Sequence, residues 1–133
     1  MRAFSSKTGV VVKVGEGAKD NDILTMAASP EYYWFHVSGY PGAHVVAETK
    51  ELDRETKRDA AALAAHFSKF PRNEKFAMVE FTRVADVERD PKVHGLVHPR
   101  AHETLTVFHN KIPEKARVAR LLTNVTEREY LLT

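Results

Sequence analysis

The chain has 133 residues, 20 basic against 18 acidic for a net charge of +2, and no cysteine. That length fits one domain with a genuine core, and the missing thiols exclude disulfides, thiolate metal sites and a cysteine nucleophile. Nearly balanced charge requires a local patch for any polyanion, and without an apolar run of signal-peptide or membrane length the expected setting is soluble and cytoplasmic.

Val10-Val11-Val12-Lys13-Val14 is β-branched and stops at Gly15-Glu16-Gly17, which predicts a strand entering a turn. A short helix is expected over 19–28, with Asp20, Asn21 and Asp22 as N-cap candidates, Ile23, Met26 and Ala27 as its apolar face, and Pro30 ending it. The turn could cradle phosphate beside Lys19, but it lacks the third glycine of a dinucleotide fingerprint and reads more simply as a strand-to-helix turn.

Residues 32–46 hold the only Trp and two His in a hairpin-like stretch. Strand parity puts Trp34, His36 and Ser38 on one face and Tyr33, Phe35 and Val37 on the other. Ser38-Gly39-Tyr40-Pro41-Gly42 supplies the turn. A five-residue loop sets Val37 opposite Ala43 and His36 opposite His44, gathering two imidazoles and an indole, whereas a four-residue loop sets His44 opposite Val37. The plainer alternative makes Trp34 and Phe35 core residues and both His structural.

A long helix is expected over about 53–70, where Thr56, Ala60, Leu63, Phe67 and Phe70 recur at helical steps and Pro71 closes the segment. Ser68, at its end, would bind a backbone group or a phosphate, with Lys69 beside it. Phe76 to Val84 alternates as a half-buried strand. Strands are also expected over 93–97 and 104–108, separated by a turn at His98-Pro99-Arg100. Pro113 suits the first turn of a last helix over 113–122, and 124–133 is expected as a frayed tail after a single domain of 1–123. The fold class is α+β, a largely antiparallel or mixed sheet with the long helix on one face.

Two basic clusters could meet a polyanion: 68–75, with Lys69, Arg72 and Lys75, and the run Lys111, Lys115, Arg117, Arg120, the latter reading more readily as a solvated face. The seven His show no ligand spacing, so no metal is expected, and no nucleophile elbow of the Gly-x-Ser-x-Gly kind is present. Trp34, His36 and His44 beside a basic helix end have the parts of a nucleic-acid reader, a stacking platform with phosphate donors.

The ordered blocks Trp34-Phe35-His36-Val37, Pro41-Gly42-Ala43-His44-Val45, Ala61-Ala62-Leu63-Ala64-Ala65-His66-Phe67-Ser68-Lys69 and Val79-Glu80-Phe81-Thr82 closely resemble the NFACT-R domain, across about Val10 to Val107. The stretch Val14 to Leu24 is similar to the glycine, asparagine and leucine pattern that precedes the family's tryptophan. Larger members of the family are ribosome-associated quality-control factors that bind the obstructed large subunit and recruit tRNA, and this module is regarded as RNA-binding. The resemblance therefore implies a stand-alone module for tRNA or ribosomal RNA, with the ribosome as a further candidate partner, DNA a lesser one, and no cofactor. Tail synthesis is not carried over. The chain departs from the family where Tyr32 replaces an acidic residue, and where acidic 84–90 replaces a lysine-rich stretch.

On this reading Trp34 or His36 meets a base, while Lys69, Arg72 and Lys19 meet phosphates, with His44 and Ser68 as further contacts. Two other classes stay open: a nucleotide or RNA-processing enzyme with His36 and His44 as acid and base, and a protein-interaction module docking through the helix from Pro113.

Overall fold

The structure, a computed structural model, describes the backbone of residues 1–93 and 96–132, and side chains up to Thr123. Six strands form one antiparallel sheet: β1 (Arg2–Ser5), β2 (Val11–Val14), β3 (Tyr33–Val37), β4 (Val45–Ala47), β5 (Ala77–Arg83) and β8 (Glu103–Val107), in the order β1-β2-β4-β3-β5-β8. A separate ribbon pairs β6 (Val87–Arg89) with β7 (Val97–Pro99). Three helices complete the α+β fold: α1 (Ala18–Ala27), α2 (Arg54–His66) and α3 (Ile112–Leu132).

Alternation along the strands sorts side chains into two layers. Val12, Val14, Phe35, Val37, Val45, Val79 and Phe81 turn to the main core, which they share with Ala60, Leu63 and Ala64 of α2 and Leu121 of α3. The opposite face carries Trp34 and Val46, packed with Leu24 of α1 and Val84 and Val87 near the ribbon. The sheet thus has helices α2 and α3 behind it and α1 with the ribbon in front.

The expected strand at the start and the alternation of β5 are both present: Ala77, Val79 and Phe81 are buried while Met78 and Glu80 are half-buried. The long helix is shorter than expected. Asp53 caps it by accepting the Thr56 N–H at 3.1 Å, but it ends at His66, because the following residues leave to run beside the hairpin loop. The Ala43 N–H donates to Phe67 O at 3.0 Å and the Lys69 N–H to Pro41 O at 2.8 Å, a bridge between Gly42 and Ser68 that competes with further helix. A Cβ on Gly42 would lie 2.9 Å from that of Ser68, so this approach needs glycine.

Helix α1 inverts its expected face. Its buried residues are Asn21, Asp22, Leu24 and Thr25, whereas Ile23 and Met26 are about half exposed. Gly17, not an Asp or Asn, is the N-cap. Hydrogen bonds described below decide the outcome over apolar pattern. The ribbon also differs: β7 is Val97–Pro99, so His98 and Pro99 lie in a strand rather than a turn, and β6 was not anticipated. An edge position in a two-stranded ribbon accommodates proline, which lacks a ladder N–H. Positions 94 and 95 of the expected 93–97 strand lie outside the described residues.

Helix α3 extends well past the expected 113–122, its backbone continuing to Leu132 where a frayed tail was predicted. It is no detachable docking helix. Leu121 is fully buried, and Arg117 and Arg120 donate to Asp59 Oδ1 of α2 at 2.7 and 2.6 Å, so half of the proposed C-terminal basic run is spent inside the domain.

Candidate nucleic-acid cleft

A cleft of about 840 Å³ opens on the front face of the sheet, between the end of β2, the start of α1 and the 39–44 loop. The strand register explains what lines it. Tyr33 pairs with Ala47, Trp34 with Val46 and Phe35 with Val45, the register of the five-residue loop. Continued by one step it sets His36 opposite His44. Their rings stand 5.6 Å apart at 88°, with Trp34 5.4 Å from His44 edge-on and stacked on His36 at 5.8 Å and 13°.

The three rings divide between floor and wall. Trp34 is 1 % exposed, so it is the core residue of the plainer reading and no base can stack on it. Its Nε1 is buried with no acceptor among the described residues. His44, also 1 % exposed, is fixed from both sides. Its Nδ1 lies 2.8 Å from Thr25 Oγ1, its backbone N–H donates to Asn21 Oδ1 at 3.0 Å, and its carbonyl accepts the Gly15 N–H at 3.0 Å. Asn21 Nδ2 also donates to Gly42 O at 3.3 Å, so one amide stitches α1 to the loop. His36 is only partly buried. Burial holds its imidazole below the usual range, against the opposing pull of the Glu80 carboxylate, which leaves a neutral, flat ring on the cleft floor at neutral pH.

The sequence candidates separate cleanly. Trp34, His36, His44 and Lys69 all line this cleft. Lys69 is exposed and has no ion-pair partner among the described residues. Lys19 is exposed on α1 but is not part of the lining. Ser68 turns its hydroxyl to Ala65 O at 2.6 Å. Arg72 donates to the carbonyls of Ala65, His66 and Ser68 at 3.0, 2.9 and 2.9 Å, capping the end of α2 rather than waiting for phosphate.

Four lining residues stand outside the site candidates that the sequence offers. Arg2 stands at the rim, bound to Glu16 Oε1 at 2.8 Å. Tyr40 is 41 % exposed and is the aromatic that a base could reach. Glu80, cross-strand neighbour of His36, puts a carboxylate on the floor. Asn21, expected as a helix cap, is the fourth. Tyr40 lies between turn-forming Gly39 and Pro41, where no strand or helix period signals a functional ring. Among the described residues no group of His, Asp and Glu is arranged to hold a metal ion, and no helix is long and apolar enough to cross a membrane.

No family model matches the chain. It is similar to the Rqc2 homolog RqcH of Bacillus subtilis (strain 168), 31% identical over 90 residues, which is 67% of this chain and 16% of that protein. The Rqc2 homolog RqcH of Streptococcus suis (strain 05ZYH33) is 38% identical over 111 residues, 80% of this chain and 20% of that protein. The chain therefore spans about a fifth or less of the length of these relatives. In three dimensions it is similar to the C-terminal part of the fibronectin/fibrinogen-binding protein from Streptococcus suis, with a TM-score of 0.77 and 30% identity over 86% of this chain and 47% of that one. Sequence thus relates this chain to one segment of the RqcH proteins, in agreement with the NFACT-related blocks of its own sequence, and its fold is shared with the C-terminal part of the fibronectin/fibrinogen-binding protein.

Proposed function

We propose that the chain is an NFACT-R-like RNA-binding module that acts in the cytosol on tRNA or ribosomal RNA, in the setting of ribosome quality control. The observation that carries this reading is the convergence of His36, Lys69, Arg2 and Tyr40 on one cleft, in a chain related to RqcH. A neutral ring on the floor and an exposed phenol at the rim suit unstacked bases, and the cationic side chains suit phosphates. Trp34 serves as the support on which His36 is stacked.

The acid and base reading of the two histidines gains less from the geometry. His44 is sealed from solvent and bonded to Thr25, so it has no route to a substrate proton.

The test is fluorescence anisotropy of labelled tRNA and of a ribosomal RNA fragment, titrated with the chain at several salt concentrations. Binding that weakens linearly with the logarithm of salt is expected, and Lys69→Ala should reduce that slope by about one. Salt-independent association, or no association with either RNA, would overturn the reading.

A further inference from the structure

We infer that Glu80 makes the cleft a guanine-selective pocket, taking a single unstacked guanine base whose Watson–Crick edge meets the carboxylate; this rests on the RNA-binding reading above. Glu80 lies on β5 directly opposite His36 of β3, so the carboxylate and the partly exposed imidazole stand side by side on the front of the sheet. The carboxylate is only lightly engaged by protein. Ser38 Oγ donates to Oε1 at a long 3.4 Å, and His102 Nε2 stands 3.7 Å from the same oxygen. The other oxygen, Oε2, has no partner among the described residues.

A carboxylate only accepts hydrogen bonds. Guanine alone among the four bases offers two adjacent donors, N1–H and the 2-amino group, which match two carboxylate oxygens in a fork. Adenine and cytosine set one amino donor beside a ring-nitrogen acceptor, and uracil flanks its one N–H with two carbonyls. Each of these would bring an acceptor against Glu80. The volume of about 840 Å³ accommodates a nucleotide. Tyr40 at the rim can cover the base, and Lys69 in the same lining can meet a phosphate, with Arg2 beside it ion-paired to Glu16.

The test compares short uridine-rich oligonucleotides carrying one central guanosine, adenosine, cytidine or inosine, measured by anisotropy with the full chain. Guanosine should bind about tenfold tighter than adenosine or cytidine, with inosine between because it lacks the 2-amino donor. Glu80→Gln should erase this ranking and leave the salt slope unchanged, its thermal midpoint serving as the check on folding. Equal binding of all four by the unmodified chain, or a ranking that survives Glu80→Gln, overturns the guanine preference while the RNA reading stands. If no RNA binds, guanosine monophosphate is titrated directly: Glu80-dependent binding retains the pocket without the RNA reading, and no binding overturns both.

Discussion

Replacing Asp59 with Ala should cost the domain about 3–5 kcal/mol, the range found when one member of a buried charge cluster is removed. Asp59 is fully buried in α2. One carboxylate oxygen accepts the Lys7 N–H at 2.9 Å, and the other accepts from Arg117 and Arg120 at 2.7 and 2.6 Å. The single carboxylate therefore ties the turn between β1 and β2, and helix α3, to α2. Its loss leaves three donors without this acceptor, each worth about 1–3 kcal/mol if fully desolvated. Discounts apply to the arginines: Arg117 keeps Glu55 at 3.0 Å, and the Arg117 and Arg120 side chains are 14% and 32% exposed. Desolvation alone would lower the Arg117 pKa, yet its bonds to Asp59 and Glu55 hold it above the usual value, so it cannot escape by losing its proton. In urea unfolding, with a slope of about 2 kcal/mol per molar, the midpoint should fall by roughly 2 M. Combining Asp59→Leu with Arg117→Met should recover much of the loss, since a packed apolar pair can replace a buried ionic one. A single variant within about 1 kcal/mol of the parent would refute this account of how α3 is held.

Stability should also depend on pH through the histidines. Burial lowers the folded-state pKa of His36, and burial with the nearby Arg72 and Arg2 lowers that of His66. Below the ordinary imidazole value the unfolded chain therefore binds more protons, so stability falls as pH drops through about 6.5 towards the folded values. His36→Asn should remove its share of that slope in urea titrations at stepped pH, and an unaltered slope would count against it. Gly15→Ala should destabilise by about 1–3 kcal/mol, because its Cβ would sit 2.1 Å from Asn21 Oδ1 and 3.0 Å from Asn21 Cα; a neutral thermal midpoint would show that α1 can retreat. Tyr40→Ala should weaken RNA binding by about 1–3 kcal/mol and leave the unfolding midpoint almost unmoved, and unchanged affinity would remove Tyr40 from the interface.

Much of this architecture was legible in the chain because period and parity are local properties. The alternation of 76–84 announced β5, while the hairpin left two loop lengths open and the strand pairing realises the five-residue one, with His36 across from His44. The failures come from nonlocal competition. Helix α2 stops at His66 because 41–43 offers its next residues another set of partners. Arg72, Arg117 and Arg120 look like surface cations in sequence, but the fold supplies carbonyls and a buried carboxylate for them. Trp34 could not be placed from one strand alone, since its cover comes from Leu24 of α1 and from Val84 and Val87 far along the chain. Glu80 meets His36 only through the pairing of β5 with β3, a contact between residues 44 positions apart in sequence that no local pattern encodes.

Helix α1 holds its place through the hydrogen bonds of Asn21 and Thr25 to the 42–44 segment, around the packed Leu24, while Ile23 and Met26 look outward. A helix seated on oil can slip by a fraction of an ångström at little cost, since apolar contact is indifferent to angle. One seated on directed hydrogen bonds has a single address. The wall of the cleft is thus machined to a tolerance that hydrophobic packing would not enforce, and redesigning that inner side with larger aliphatic residues would trade a fixed aperture for a looser one even where the melting temperature rose.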